Sequence, residues 1–233
     1  MTYTLGFSFF MSYVPKLELL DVYQHLLDRF GRQAWWPADS PFEVMLGAIL
    51  TQNTNWSNVK KALENLKQNI TLTPEAVLSL PQNEFEAYVK PSGYFRVKTQ
   101  RLQFFCRWYL SQGSYNGLQK ISTLELRAQL LRVHGIGPET ADDILLYAFE
   151  RPVFVIDTYT RRLLQRLRII KGNENYEVLR GLFESSLPKR VDLYKQFHAL
   201  IVLHGKQHCR KSKPNCEACK LIKCSSRTLY IVC

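Results

Sequence analysis

Carboxylates are scarce in this chain. Twenty Asp and Glu face 31 Lys and Arg in 233 residues, a formal charge of +11. A field of that sign disfavours cationic partners and favours polyanions, nucleic acid first. Long apolar runs are also missing. None approaches the ~20 residues of a membrane-spanning helix, so no membrane partner is expected. Residues 1–12 are apolar but lack a basic leader and an evident cleavage site, which argues against a secretory signal. No alternation is long enough to make a sheet, and there is no repeat, low-complexity tract or long linker. Cysteine is sparse, with six in all. In the reducing, cytoplasmic setting that these absences imply, thiols read as ligands or free groups rather than disulfides.

The chain is long enough to bury a real core, in one domain or two. Its apolar residues recur at helical spacing. Helices are expected over 17–30, 42–50, from the turn at 51–54 to about 66, 97–110, 158–167, 176–186 and 193–206. Thr73-Pro74-Glu75 reads as a cap with proline in the first turn. Ser122-Thr123-Leu124-Glu125 is a capping-box candidate opening a helix to about 132. A further helix is expected over 139–149, after a turn at Gly135–Gly137. The fold class is therefore all-α.

That turn carries the chemistry. In His134-Gly135-Ile136-Gly137-Pro138-Glu139-Thr140-Ala141-Asp142, two glycines flank Ile136. They allow a tight turn and a close backbone approach to a ligand, and the helix that follows points unpaired amides at an anion. Ile136 is expected to anchor the turn in the core. Eighteen residues after Glu139 comes Asp157, in Val153-Phe154-Val155-Ile156-Asp157-Thr158. Apolar surroundings strengthen the attraction between an ionised carboxylate and positive charge forming on a sugar. Such a carboxylate can also orient or deprotonate a water. Asp157 is equally placed to cap the helix that starts at Thr158.

Leu131-Arg132-Val133-His134-Gly135-Ile136-Gly137 and Asp157 resemble the helix-hairpin-helix and catalytic aspartate of the endonuclease III superfamily of DNA glycosylases. The resemblance spans about 41–224. It implies two helical lobes. One is a six-helix barrel over 33–150 that ends with the hairpin helix. The other combines 1–32 with 151–233 and contains Asp157 and a cysteine loop. It further implies DNA contacts from Gln52, Gly135, Ile136, Gly137 and Thr140. Arg161 and Arg162, one helical turn after Asp157, and Arg96, Lys98 and Arg101 are candidate phosphate contacts on charge and position. In bifunctional members a lysine stands two residues after the second glycine, where its amine attacks the sugar. Here that position is Glu139, which cannot form an imine.

Trp35, Trp36 and Trp56 flank the Gln52 turn. Together with Glu139 and Lys206 they resemble the base pocket of the endonuclease III-like 3-methyladenine DNA glycosylases. Aromatic faces attract an electron-poor or cationic alkylated purine. The resemblance implies a monofunctional DNA N-glycosylase of base excision repair, a monomer acting on duplex DNA with a damaged base, nucleoid-associated in a bacterium. Rival readings are a bifunctional glycosylase/lyase for oxidised pyrimidines, a mismatch glycosylase, and a DNA-binding module without chemistry.

Cys209, Cys216, Cys219 and Cys224 lie within sixteen residues, with gaps of six, two and four. Four thiolates so close signal a metal. Zinc usually shows two short knuckles, and only Cys216 and Cys219 form one. The pattern resembles the [4Fe-4S] loop of endonuclease III, whose last gap is commonly one residue longer. The best-described 3-methyladenine glycosylases of this type lack such a loop, so the two resemblances point to different branches. Cys106, in an aromatic helix, reads as core.

Overall fold

The computed structural model describes residues 16–219 and 221. Among them are twelve α-helices, one 3-10 turn, one π-turn and no strand. The helices run α1 (Lys16–Phe30), α2 (Pro41–Leu50), α3 (Trp56–Asn69), α4 (Pro74–Ser79), α5 (Gln82–Val89), α6 (Phe95–Ser111), α7 (Ser114–Leu118), α8 (Thr123–Leu130), α9 (Pro138–Asp143), α10 (Thr158–Arg166), α11 (Tyr176–Ser186) and α12 (Val191–Gln207).

Side-chain oxygens start many of them. Ser40, Asn55, Thr73, Ser122, Asp157 and Asn175 each accept the backbone N–H three residues on. Each such cap stabilises its helix by about 1 kcal/mol. Proline occupies the first turn of α2, α4 and α9, where its missing N–H costs nothing.

Every residue of α2 from Phe42 onward is buried, as a core helix requires. It packs against α3, α6, α9 and the π-turn, while α4 and α5 pack on α6. Towards the C-terminus, α1 packs on α11 and α12, and α10 on α12. One continuous apolar core runs beneath all of these. Cys106 is fully buried in it, and burial pushes its thiol up to about 12.

The helix expected over 139–149 is not uniform. Regular α9 stops at Asp143 and continues as a π-turn over Ile144–Ala148, closed by Phe149 N–H donating to Ile144 O at 3.2 Å. All five π-turn residues are buried, so hydrophobicity on every side hides the change of period from the sequence. Such widened turns are frequent at functional sites.

Candidate active site

The hairpin joins α8 to α9. Gly135 has φ +86°, and a Cβ there would collide with the Arg101 side chain, so only glycine fits. Ile136 is buried, as expected, and its N–H donates to Val133 O at 3.1 Å. Gly137 corrects the sequence reading. Its backbone is extended (φ −95°, ψ 178°), which any residue adopts, and a Cβ there would meet open space. What Gly137 contributes is clearance in front of the start of α9, which has no side-chain cap.

Gln52 reaches this hairpin from the end of α2. Its Nε2 donates to Gly135 O and Thr140 Oγ1, both at 2.9 Å, and its Oε1 accepts from the Arg101 guanidinium. Lys98 is not available to DNA. It is 1% exposed, and its Nζ donates to Leu50 O at 2.8 Å and Ser92 O at 2.6 Å. Burial, with the nearby Arg101 charge, lowers its pKa to about 8. Lys98 therefore ties the Gln52 turn to the turn before α6; composition alone could not place it inside. Arg162 is also engaged. Its Nε donates to Cys209 O at 2.7 Å, and its guanidinium lies over the Tyr159 ring. Arg161 lines the cleft, with Nη1 held by Glu174 O at 2.8 Å.

A cleft of about 1220 Å³ opens beside the hairpin. It brings together Trp35, Trp36, Trp56, Glu139, Asp157 and Lys206, all singled out in the sequence. Trp36 lies edge-on to Trp56, ring centroids 5.2 Å apart, and 4.8 Å from Tyr147. Its backbone is left-handed (φ +62°), a conformation disfavoured for a bulky residue. Gly47 of α2 makes the seat for this ring, because a Cβ there would meet the indole nitrogen at 3.3 Å. Lys206 Nζ stands 5.7 Å from the centre of Trp35. Burial lowers its pKa, against the pull of Asp157.

Asp157 does cap α10, its Oδ1 accepting from Thr160 N at 2.7 Å. The other oxygen faces His198 Nε2 at 3.5 Å, and His198 Nδ1 is 2.7 Å from the Tyr147 hydroxyl. Burial works against the Asp157 charge, but His198 and the Thr160 amide outweigh it and hold the carboxyl below its ordinary range. Sequence reasoning missed His198 and Tyr147. A single histidine inside α12 and a tyrosine in a buried run carry no signal until the fold brings them to Asp157.

Glu139 is reached by water in the open cleft, yet protein surrounds it on most sides. That desolvation and the Asp157 charge push its pKa up to about 7, against His198 and Arg161. A carboxyl raised in the folded state stabilises the fold while protonated. That contribution is lost as pH rises from 4.5, its ordinary value, through about 7. Glu139→Gln should therefore gain Tm relative to the parent as pH is raised across this window, and no further above it. Melting curves at stepped pH check this.

Cys209, Cys216 and Cys219 line one small cavity, of about 10 Å³, with Leu163, Pro214 and Leu221. Cys209 Sγ accepts from Arg166 Nη1 at 3.1 Å, and Cys219 Sγ is 3.9 Å from His204 Nε2. Among the described residues no set of three or more His, Cys, Asp or Glu side chains is arranged around a metal position. Cys224, the fourth thiol of the motif, lies outside them. Three thiols on one cavity beside guanidinium groups are a donor set that fits a thiolate-held cluster.

The chain is similar to several known proteins. Residues 46–189 match the model of the HhH-GPD superfamily base excision DNA repair proteins. The provisionally named DNA repair glycosylase MJ1434 of Methanocaldococcus jannaschii is 41% identical over 210 residues, 88% of this chain and 95% of that protein. Endonuclease III of Haemophilus influenzae is 30% identical, covering 78% of this chain and 81% of that protein. The crystal structure of H. pylori 3-methyladenine DNA glycosylase bound to 1,N6-ethenoadenine superposes with a TM-score of 0.69 at 30% identity. The match covers 83% of this chain and 98% of that one.

Proposed function

Because this chain belongs to the HhH-GPD superfamily of base excision DNA repair proteins, and is a DNA glycosylase of that type, we propose that it is monofunctional and releases alkylated purine, 3-methyladenine foremost. One observation carries this reading. The cleft holds an aspartate that faces His198 and caps α10, three tryptophans and, where a lysine would make an imine, a glutamate.

The proposed course follows from those residues. The hairpin and the start of α9 hold the phosphate backbone. The damaged base leaves the stack and enters the cleft lined by Trp35, Trp36 and Trp56, aromatic rings that suit an electron-poor base. As the glycosidic bond breaks, its electron pair leaves with the base and positive charge grows on the sugar. The Asp157 carboxylate stabilises that charge. It then takes a proton from a water whose oxygen bonds to the sugar carbon. His198 and the Thr160 amide keep Asp157 charged and fixed. The products are free base and an abasic site, with the strand intact. The H. pylori protein, named for 3-methyladenine, supports the substrate choice.

Lys206 favours a second reading. It is an amine in the same cleft with a lowered pKa, so it is a candidate nucleophile for a lyase. We also propose that Cys209, Cys216, Cys219 and Cys224 hold a [4Fe-4S] cluster that ties the C-terminal loop to α10 and α12. When bound, that cluster supplies a rigid anchor and no step of the hydrolysis. Iron and acid-labile sulfide in the purified protein are expected; zinc in their place would refute the cluster.

The substrate is tested with duplexes carrying methylated purine, thymine glycol or a G·T mismatch. Chromatography should find free 3-methyladenine from the first. Release only from thymine glycol or the mismatch would replace this reading.

A further inference from the structure

A buried hydroxyl stands behind the wall of the cleft. Tyr147 lies in the π-turn and is almost wholly enclosed. Its ring packs against Trp36, centroids 4.8 Å apart. Its hydroxyl lies 2.7 Å from His198 Nδ1. The other ring nitrogen, Nε2, is buried and has no closer partner among the described residues than Asp157 Oδ2, at 3.5 Å. Tyr147, His198 and Asp157 thus form a chain from the π-turn, through α12, to the start of α10.

The sign of the last contact depends on one proton. An imidazole with N–H at Nε2 attracts a carboxylate, whereas one with its lone pair there repels it. Which ring nitrogen carries the proton is set by the hydrogen bond that the other makes. Burial, with the charges of Asp143 and Asp157, pushes the Tyr147 hydroxyl well above its ordinary range, so it keeps its proton. A phenol O–H beside Nδ1 donates to a lone pair on that nitrogen, and the ring proton then sits on Nε2. A proton on Nδ1 instead would turn the Nε2 lone pair towards the carboxylate. Asp157 would keep only the Thr160 amide, on its other oxygen.

We infer that Tyr147 is a positioning residue for base release: its hydroxyl donates to His198 Nδ1, keeps the imidazole proton on Nε2, and so aims an N–H donor at Asp157. The inference rests on Asp157 as the reacting carboxylate. Tyr147 is not among the residues lining the cleft, so it acts through His198 and has no part in the bond changes.

Nitrogen-15 NMR of the full chain tests it, because protonated and lone-pair ring nitrogens resonate far apart. His198→Gln identifies the His198 signals among those of the five histidines by their absence. The parent, at neutral pH, should show His198 with its proton on Nε2 and a lone pair on Nδ1. Tyr147→Phe keeps the ring against Trp36 and removes only the hydroxyl. It should lose that single tautomer and show protonation at Nδ1. Single-turnover base release from a methylated duplex should fall roughly tenfold, the loss of one buried hydrogen bond. Binding of a duplex with an abasic-site analogue should match the parent, which also shows that the variant folds. Four results would overturn the inference: a parent His198 protonated at Nδ1, singly or with Nε2; an unchanged tautomer in Tyr147→Phe; base release by that variant at the parent rate; or a fall in rate matched by an equal loss of DNA binding. Failure of the Asp157 reading is seen separately, as base release by Asp157→Asn at the parent rate.

Discussion

Asp157→Asn should bind duplex DNA as the parent does and release base slower by on the order of a thousandfold. Asparagine caps a helix as well as aspartate, so α10 and the fold around it persist. What disappears is one negative charge. In the parent, Asp157 is buried, holds the Thr160 amide at 2.7 Å and faces His198 at 3.5 Å. A neutral amide there neither offsets charge on the sugar nor takes a proton from water. Single-turnover base release on a methylated duplex measures the loss, and gel shift measures the binding. Persistent activity would remove Asp157 from the mechanism. A parent that binds DNA but releases nothing would favour the module without chemistry.

Arg127→Met should cost a large share of stability although it lies away from the cleft. Arg127 holds Asp142 with Nε at 2.6 Å and Nη2 at 3.1 Å, and Nη2 also reaches Glu177 at 2.7 Å. This joins α8 and α9, on either side of the hairpin, to α11. The Asp142 side chain is fully buried, so removing Arg127 leaves its carboxyl with only the more distant Arg180, at 3.9 Å, and Tyr176, a loss of about 3–5 kcal/mol. For a chain of this size that is a fall in Tm of roughly 10 °C. Arg127→Met with Asp142→Leu should recover much of it, since replacing both members removes the orphaned charge. A drop of only a degree or two in the single variant would show that water reaches the site.

Much of the fold was legible because its signals are local. Thr73, Ser122 and Asp157 are caps with a chemistry that reads directly from three or four residues, and the glycine turn with its aspartate is a short motif. The same locality explains the errors. Lys98 is charged and lies among Tyr94, Phe95 and Arg96, so it reads as a surface group. Two backbone carbonyls, Ser92 in the turn just before α6 and Leu50 at the distant end of α2, draw it inside. Gly137 looks like the partner of Gly135, but its φ shows that the turn uses only one of them. The π-turn is invisible because Ile144–Phe149 is apolar on every side. The candidate site divides in the same way. Its hairpin and tryptophans are near motifs, whereas Asp143, Tyr147 and His198 acquire meaning only when α9, the π-turn and α12 meet at Asp157.

The central claim is hydrolysis without an enzyme amine, and sodium borohydride tests it most directly. Borohydride reduces an imine between a protein amine and the sugar to a permanent bond. The parent protein, incubated with a methylated duplex and borohydride, should yield free base and abasic DNA that nicks only after alkali. No protein–DNA adduct should form. A strong covalent adduct that disappears in Lys206→Met would contradict this account and assign the chemistry to a lyase.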